Sequence, residues 1–182
     1  MSLEFGETTH SNGAAAFTIG IVLAEGPLAV SWQHASATCE FLGDMVALHH
    51  AKAGSDYNET RHAIVYLVNE LLENAIKFRS PGDIEVRCSL EGGNLEVSVR
   101  NVAASGTAEK FQALLAELTT RDPGELLIER IEANAADETS SGSGLGLLTL
   151  MNDYGARLGW SFSEQPGGHT VLLSTYASLT LN

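Results

Sequence analysis

The sequence predicts an α+β domain: a two-layer sandwich with helices on one face of a mixed, mostly antiparallel sheet. Three features lead there. Strand-like segments come in adjacent pairs around Gly/Pro-containing turns, the pattern of hairpins. Helical segments separate those pairs, so a doubly wound parallel sheet does not fit. One helix, Asn58–Phe78, is apolar around most of its circumference and has to be covered.

Each element follows from its local pattern. Residues 1–13 are polar and contain glycine, which predicts a loose arm. Phe17–Leu23 and Leu28–Trp32 read as two strands around the turn Glu25-Gly26-Pro27, and so as a hairpin. From Ser36 to about Lys52, Phe41, Met45 and Leu48 recur at helical spacing with Leu42 and Val46 beside them. Ala53-Gly54-Ser55-Asp56 ends that helix and starts Asn58–Phe78, which Ser80-Pro81-Gly82 closes. Asp83–Leu90 and Leu95–Asn101 alternate in strand fashion and predict a hairpin with a longer loop over Glu91–Asn94. Two helices follow, Ala108–Thr120 and Glu125–Glu132, divided by Asp122-Pro123-Gly124. Residues 133–143 are small and polar and read as a loop. Gly144–Arg157 reads as an apolar helix, and Trp160–Glu164 with Thr170–Tyr176 as a closing hairpin.

Composition narrows the function. The chain has 182 residues, 44% of them hydrophobic, which is globular material. Its 10 Lys+Arg against 23 Asp+Glu give a net charge of -13. Such a chain repels phosphate backbones and anionic lipid surfaces, which argues against nucleic-acid and membrane partners. A nucleotide needs only a local site. Cys39 and Cys88 make neither a disulfide framework nor a zinc cluster and are expected as buried thiols in a reducing cytoplasm. The start MSLEFGETTH has no basic region and no apolar stretch, so no secretory signal is expected. The histidines show no ligand spacing, and His49-His50 is expected at the surface. Glu125, Glu129, Glu132, Asp137 and Glu138 form an acidic cluster, either a solvated face or a contact for a basic partner.

Two motifs carry chemistry. On the apolar helix, Glu70, Asn74 and Lys77 stand at i, i+4 and i+7, one stripe along one face. The stripe is either a surface row that stabilises the helix or a Mg²⁺–phosphate site. In the second reading Asn74 gives a hard cation an amide oxygen, Lys77 offsets phosphate charge, and Glu70 orients or deprotonates a hydroxyl. The other motif is Ser141-Gly142-Ser143-Gly144-Leu145-Gly146, which opens a helix. Glycines let a backbone approach phosphate closely, and a helix N-terminus offers unpaired N–H groups. The segment lacks the preceding strand of a dinucleotide fingerprint and the Gly-Lys-Ser/Thr of a P-loop. A flexible hinge is the plain alternative.

The two motifs in this order, with a hairpin between them and another after them, resemble the GHKL (Bergerat-type) ATP-binding fold. That superfamily includes histidine kinases, type II topoisomerase ATPase domains and the anti-sigma serine kinases. The resemblance spans residues 56–176, with residues 1–55 integral to the domain or extending it. It implies that Asn74 coordinates Mg²⁺ and that Glu70 is the catalytic base. It implies nucleotide contacts from Lys77 and from Gly142, Ser143, Gly144, Leu145 and Gly146, with a lid over about 103–141. Where the family has an Asp-x-Gly-x-Gly box for adenine, this chain has Asn101, which keeps an acceptor oxygen but adds a donor and loses the charge.

Length and the missing phosphoacceptor-histidine helices point to the small stand-alone branch. The N-terminal part and Asn101 resemble a bacterial sub-branch that includes the kinase of the Sia regulatory system and cyanobacterial regulators. The resemblance implies a cytoplasmic partner-switching regulator. It would bind Mg-ATP or ADP and hold, and phosphorylate on Ser or Thr, a STAS-type antagonist protein. Homodimers through the N-terminal strands would match relatives. The alternative is an inactive binding module of the same fold with weak nucleotide binding or none.

Overall fold

The computed structural model describes residues 2–8, 15–25, 32–51, 56–136 and 145–181. The elements run β1 (Ser2–Gly6), β2 (Phe17–Leu23), α1 (Trp32–Ala51), α2 (Tyr57–Phe78), β3 (Ile84–Glu91), β4 (Asn94–Ala104), α3 (Ser105–Leu118), α4 (Pro123–Ala136), α5 (Leu145–Asn152), β5 (Arg157–Glu164) and β6 (Thr170–Thr180). Six strands form one sheet in the order β1-β5-β6-β4-β3-β2, and every neighbouring pair is antiparallel. The α+β sandwich predicted from the sequence is the observed architecture.

Side-chain alternation along the strands makes the two faces unlike. Val86, Cys88, Leu95, Val97, Val99, Trp160, Phe162 and Leu173 point to the helices and are buried. The other face carries Glu85, Arg87, Ser89, Ser98, Arg100 and Tyr176, which line a shallow concavity of about 680 Å³. That concavity is on the side of the sheet away from α2 and takes no part in the candidate site.

Helix α2 starts where Asp56 caps it, accepting from the backbone N–H of Asn58 at 2.8 Å and Glu59 at 3.2 Å. It buries Ile64, Leu67, Val68, Leu71, Leu72 and Ala75. Helix α1 packs along it through Gly43. A Cβ there would lie 2.3 Å from Val65 Cγ2, so the helices approach more closely than alanine allows. Val65 is β-branched and cannot swing clear. Gly43→Ala is therefore expected to cost about 1–3 kcal/mol, more than the ~1 kcal/mol that alanine adds to a helix. Adding Val65→Ala should restore most of the lost urea midpoint.

Five expectations are corrected. Residues 2–6 are not a loose arm: Leu3 and Phe5 alternate, β1 pairs with β5, and the Phe5 ring meets Phe162 edge-on at 6.0 Å. Phe17–Leu23 pairs with β3. Trp32 opens α1, and residues 26–31 lie outside the described residues. The β3–β4 connection is a tight two-residue turn, because Gly92 (φ 53°) and Gly93 (φ 84°) both adopt the left-handed conformation a type I′ hairpin needs. The apolar helix ends at Asn152, not Arg157: Gly155 turns at φ 64° and Arg157 already belongs to β5. Finally, His50 is only 8% exposed with Nε2 unpartnered among the described residues, and His49 stacks on Phe17 at 4.7 Å. The two buried thiols are where composition put them, and burial raises each to about 12.

Candidate functional site

The polar stripe of α2 meets α5. Glu70 is half-buried and its carboxylate packs directly on Gly146, in the first turn of α5. A Cβ at Gly146 would lie 1.6 Å from Glu70 Oε2 and 2.4 Å from its Cδ. Only a glycine leaves room for that approach. The fold thus brings together two motifs that are far apart in sequence. Gly142, Ser143 and Gly144 lie outside the described residues; Leu145 is the first residue of α5.

One turn along α2, Asn74 donates from Nδ2 to the Glu70 carbonyl at 2.9 Å. This bond fixes the amide, and Oδ1 carries no hydrogen bond among the described residues. The oriented acceptor suits a hard cation such as Mg²⁺. Lys77 is exposed, with Nζ 5.2 Å from the Phe78 ring centroid and no ion pair among the described residues. A free ammonium one turn beyond an oriented amide oxygen suits a phosphate chain. These three residues fit a Mg-nucleotide.

Burial raises the Glu70 pKa above the ordinary carboxylate range, and the Glu73 charge adds to it. The folded chain therefore holds this proton better than the unfolded chain does. Glu70 contributes stability that is present below the ordinary glutamate pKa and is lost as pH rises through its raised value. Glu70→Gln is expected to raise Tm at neutral pH, and the gain should vanish in acid. Thermal melts of both proteins across pH check this.

Asn101 is the remaining candidate. It stands on β4, 2% exposed, on the same face as Val97, Val99 and Ala103, and its Nδ2 donates to the Val102 carbonyl at 3.3 Å. Within the expected lid range, α3 buries Ala108, Phe111, Leu115 and Leu118, and α4 buries Leu126. Residues 137–141 lie outside the described residues.

Sequence reasoning missed one part of the site. The Tyr66 ring stacks on Tyr154 at 5.0 Å. Tyr66 stands four residues before Glu70, so it extends the same stripe by one turn, which was the available signal. This contact ties α2 to the turn that follows α5.

The geometry agrees with comparisons to known proteins. Residues 59–177 match the model of the family described as histidine kinase-, DNA gyrase B-, and HSP90-like ATPase. Among solved structures, a chain of the SiaB–SiaC complex from Pseudomonas aeruginosa is similar, with a TM-score of 0.62 and 17% identity over 87% of this chain and 89% of that chain. That likeness is one of fold. No curated protein sequence matches the chain. Among the described residues, no helix is long and apolar enough to cross a membrane.

Proposed function

The chain belongs to the histidine kinase-, DNA gyrase B- and HSP90-like ATPase family, and from that premise we propose that it is a cytoplasmic partner-switching regulator. In this reading it binds Mg-ATP or ADP and phosphorylates, on Ser or Thr, a STAS-type antagonist protein that it holds. The observation that carries the reading is the Glu70 carboxylate seated on Gly146, which joins the α2 stripe to the glycine motif. The similar fold in a structure of two proteins in complex supports a protein partner.

The residues divide the work. ATP, when bound, supplies the γ-phosphoryl group, with Mg²⁺ shielding its charge. Asn74 Oδ1 would hold the metal, which would supply charge shielding for the phosphates. Lys77 would neutralise phosphate charge. Glu70 takes the proton of the acceptor hydroxyl, and burial raises its pKa in the direction that strengthens it as a base. Leu145 and Gly146 present the start of α5 to the phosphates, with Gly142, Ser143 and Gly144 preceding it. Asn101 offers Oδ1 toward adenine.

A second reading has one observation in its favour. Asn101 is neutral and buried among apolar side chains, which suits a protein-binding module with weak nucleotide binding and no chemistry. Label transfer from γ-labelled ATP to the STAS-domain proteins of the same organism separates the two. The kinase reading predicts label on Ser or Thr with wild type, and a loss of about 10²-fold or more in Glu70→Gln with partner binding intact. Partner binding without label supports the module. Neither binding nor label refutes both.

A further inference from the structure

The end of the proposed nucleotide site that would take the base is closed. Asn101, the residue assigned to adenine, is buried on β4. Phe78, one residue past Lys77, is held beside it, because the backbone N–H of Ser80 donates to the Val102 carbonyl at 2.7 Å. The ring of Phe111, from α3, stacks on Phe78 with centroids 5.6 Å apart and planes 23° apart. Phe111 is itself buried and meets Trp160 and Phe162 edge-on. An aromatic ring therefore already takes the stacking position next to Asn101.

The start of α3 is weakly held. Its N-cap is Ala104, which makes no side-chain cap bond. Gly106 stands in the first turn, where glycine lowers helix stability relative to alanine. A Cβ at Gly106 would meet nothing within 4 Å among the described residues, so close packing does not account for this glycine. On one side of it Ser105 is tied to the β5–β6 turn. Its N–H donates to the His169 carbonyl at 3.1 Å and its Oγ to the Gly168 carbonyl at 3.2 Å. On the other side Leu115 and Leu118 are fully buried. The weak stretch is Gly106–Phe111, between two anchored points.

We infer that Phe111 gates the base end of the site: in the free chain its ring takes the place of the base, and nucleotide binds when Gly106–Phe111 unwinds and the ring leaves Phe78. The inference rests on the Mg-nucleotide reading and adds regulation to that site. Lys77 is exposed, so phosphates reach it without this movement. Apparent nucleotide affinity is then the intrinsic affinity scaled by the open fraction, whereas a ligand with phosphates and no base is indifferent to the gate.

Calorimetry with Mg-ATP and with Mg-tripolyphosphate on wild type, Phe111→Ala and Gly106→Ala tests it. Phe111→Ala removes the ring and should bind ATP at least about tenfold more tightly, with tripolyphosphate affinity unchanged. Gly106→Ala strengthens the start of α3 and should weaken ATP binding about fivefold while raising Tm. A structural defect would not weaken binding in a more stable protein, so this variant decides the question even where Phe111→Ala fails to fold. Tripolyphosphate binding beside an ATP affinity that neither substitution changes overturns the gate and leaves the phosphate end standing. Weaker ATP binding in a folded Phe111→Ala also overturns it, and makes Phe111 part of the base contact. If no variant binds either ligand at millimolar concentration, the Mg-nucleotide reading itself fails, and the gate with it.

Discussion

Trp160→Ala is expected to cost about 3–5 kcal/mol, the largest loss of stability from a single substitution in this chain. Trp160 is 1% exposed on β5 and anchors an aromatic cluster that joins both ends of the sequence to the helices. Phe111 of α3 meets it edge-on at 6.3 Å and stacks on Phe78 of α2 at 5.6 Å. Phe162 lies 6.3 Å from Phe111 and 6.0 Å from Phe5 of β1. Truncation leaves a cavity that four elements would have to collapse to fill. The indole Nε1 has no hydrogen-bond partner among the described residues, so part of the tryptophan's worth is already offset by a buried donor. Trp160→Phe should accordingly stay within about 1 kcal/mol of wild type. Urea unfolding of the three proteins measures both values. An alanine variant that loses under about 1 kcal/mol would show that the cluster does not organise the core.

Gly146→Ala is expected to reduce phosphotransfer by about 10²-fold or more while leaving the fold nearly unchanged. The new Cβ lands on the Glu70 carboxylate, the far end of a flexible side chain, and that group swings away at little cost. What is lost is its position. Placed on Glu70→Gln, the same substitution should cost little more, because both remove one function. Additive losses in the double variant would mean that Gly146 acts through something other than Glu70. Melting curves recorded beside the kinetics separate displacement from unfolding.

How much of this was legible in the sequence depends on how local the signal was. Helix α2 and the strands β3 to β6 follow from their own periodicity, and the Glu70–Asn74–Lys77 stripe is a spacing within one helix. β1 was not legible, because its partner β5 lies at the other end of the chain and the Leu3–Phe5 alternation is too short to stand out in a polar segment. Helix α1 has apolar residues on two faces, and only the packing of Gly43 on Val65 decides which turns inward. His50 defied composition because a polar side chain in the core leaves no pattern in sequence. Strand parity did mark Asn101: it alternates in step with Val97 and Val99, whose side chains face the helices. The Glu70–Gly146 contact needed the fold, since nothing local ties those residues together.

In the proposed site, Asn74 holds the metal of a Mg-nucleotide. Calorimetry of ATP and ADP, with and without Mg²⁺, against wild type and Asn74→Ala tests it most directly. The predicted result is binding to wild type that requires Mg²⁺ and is lost in Asn74→Ala. Absence of binding to wild type at millimolar nucleotide, or Mg²⁺-dependent binding that survives in Asn74→Ala, would contradict it.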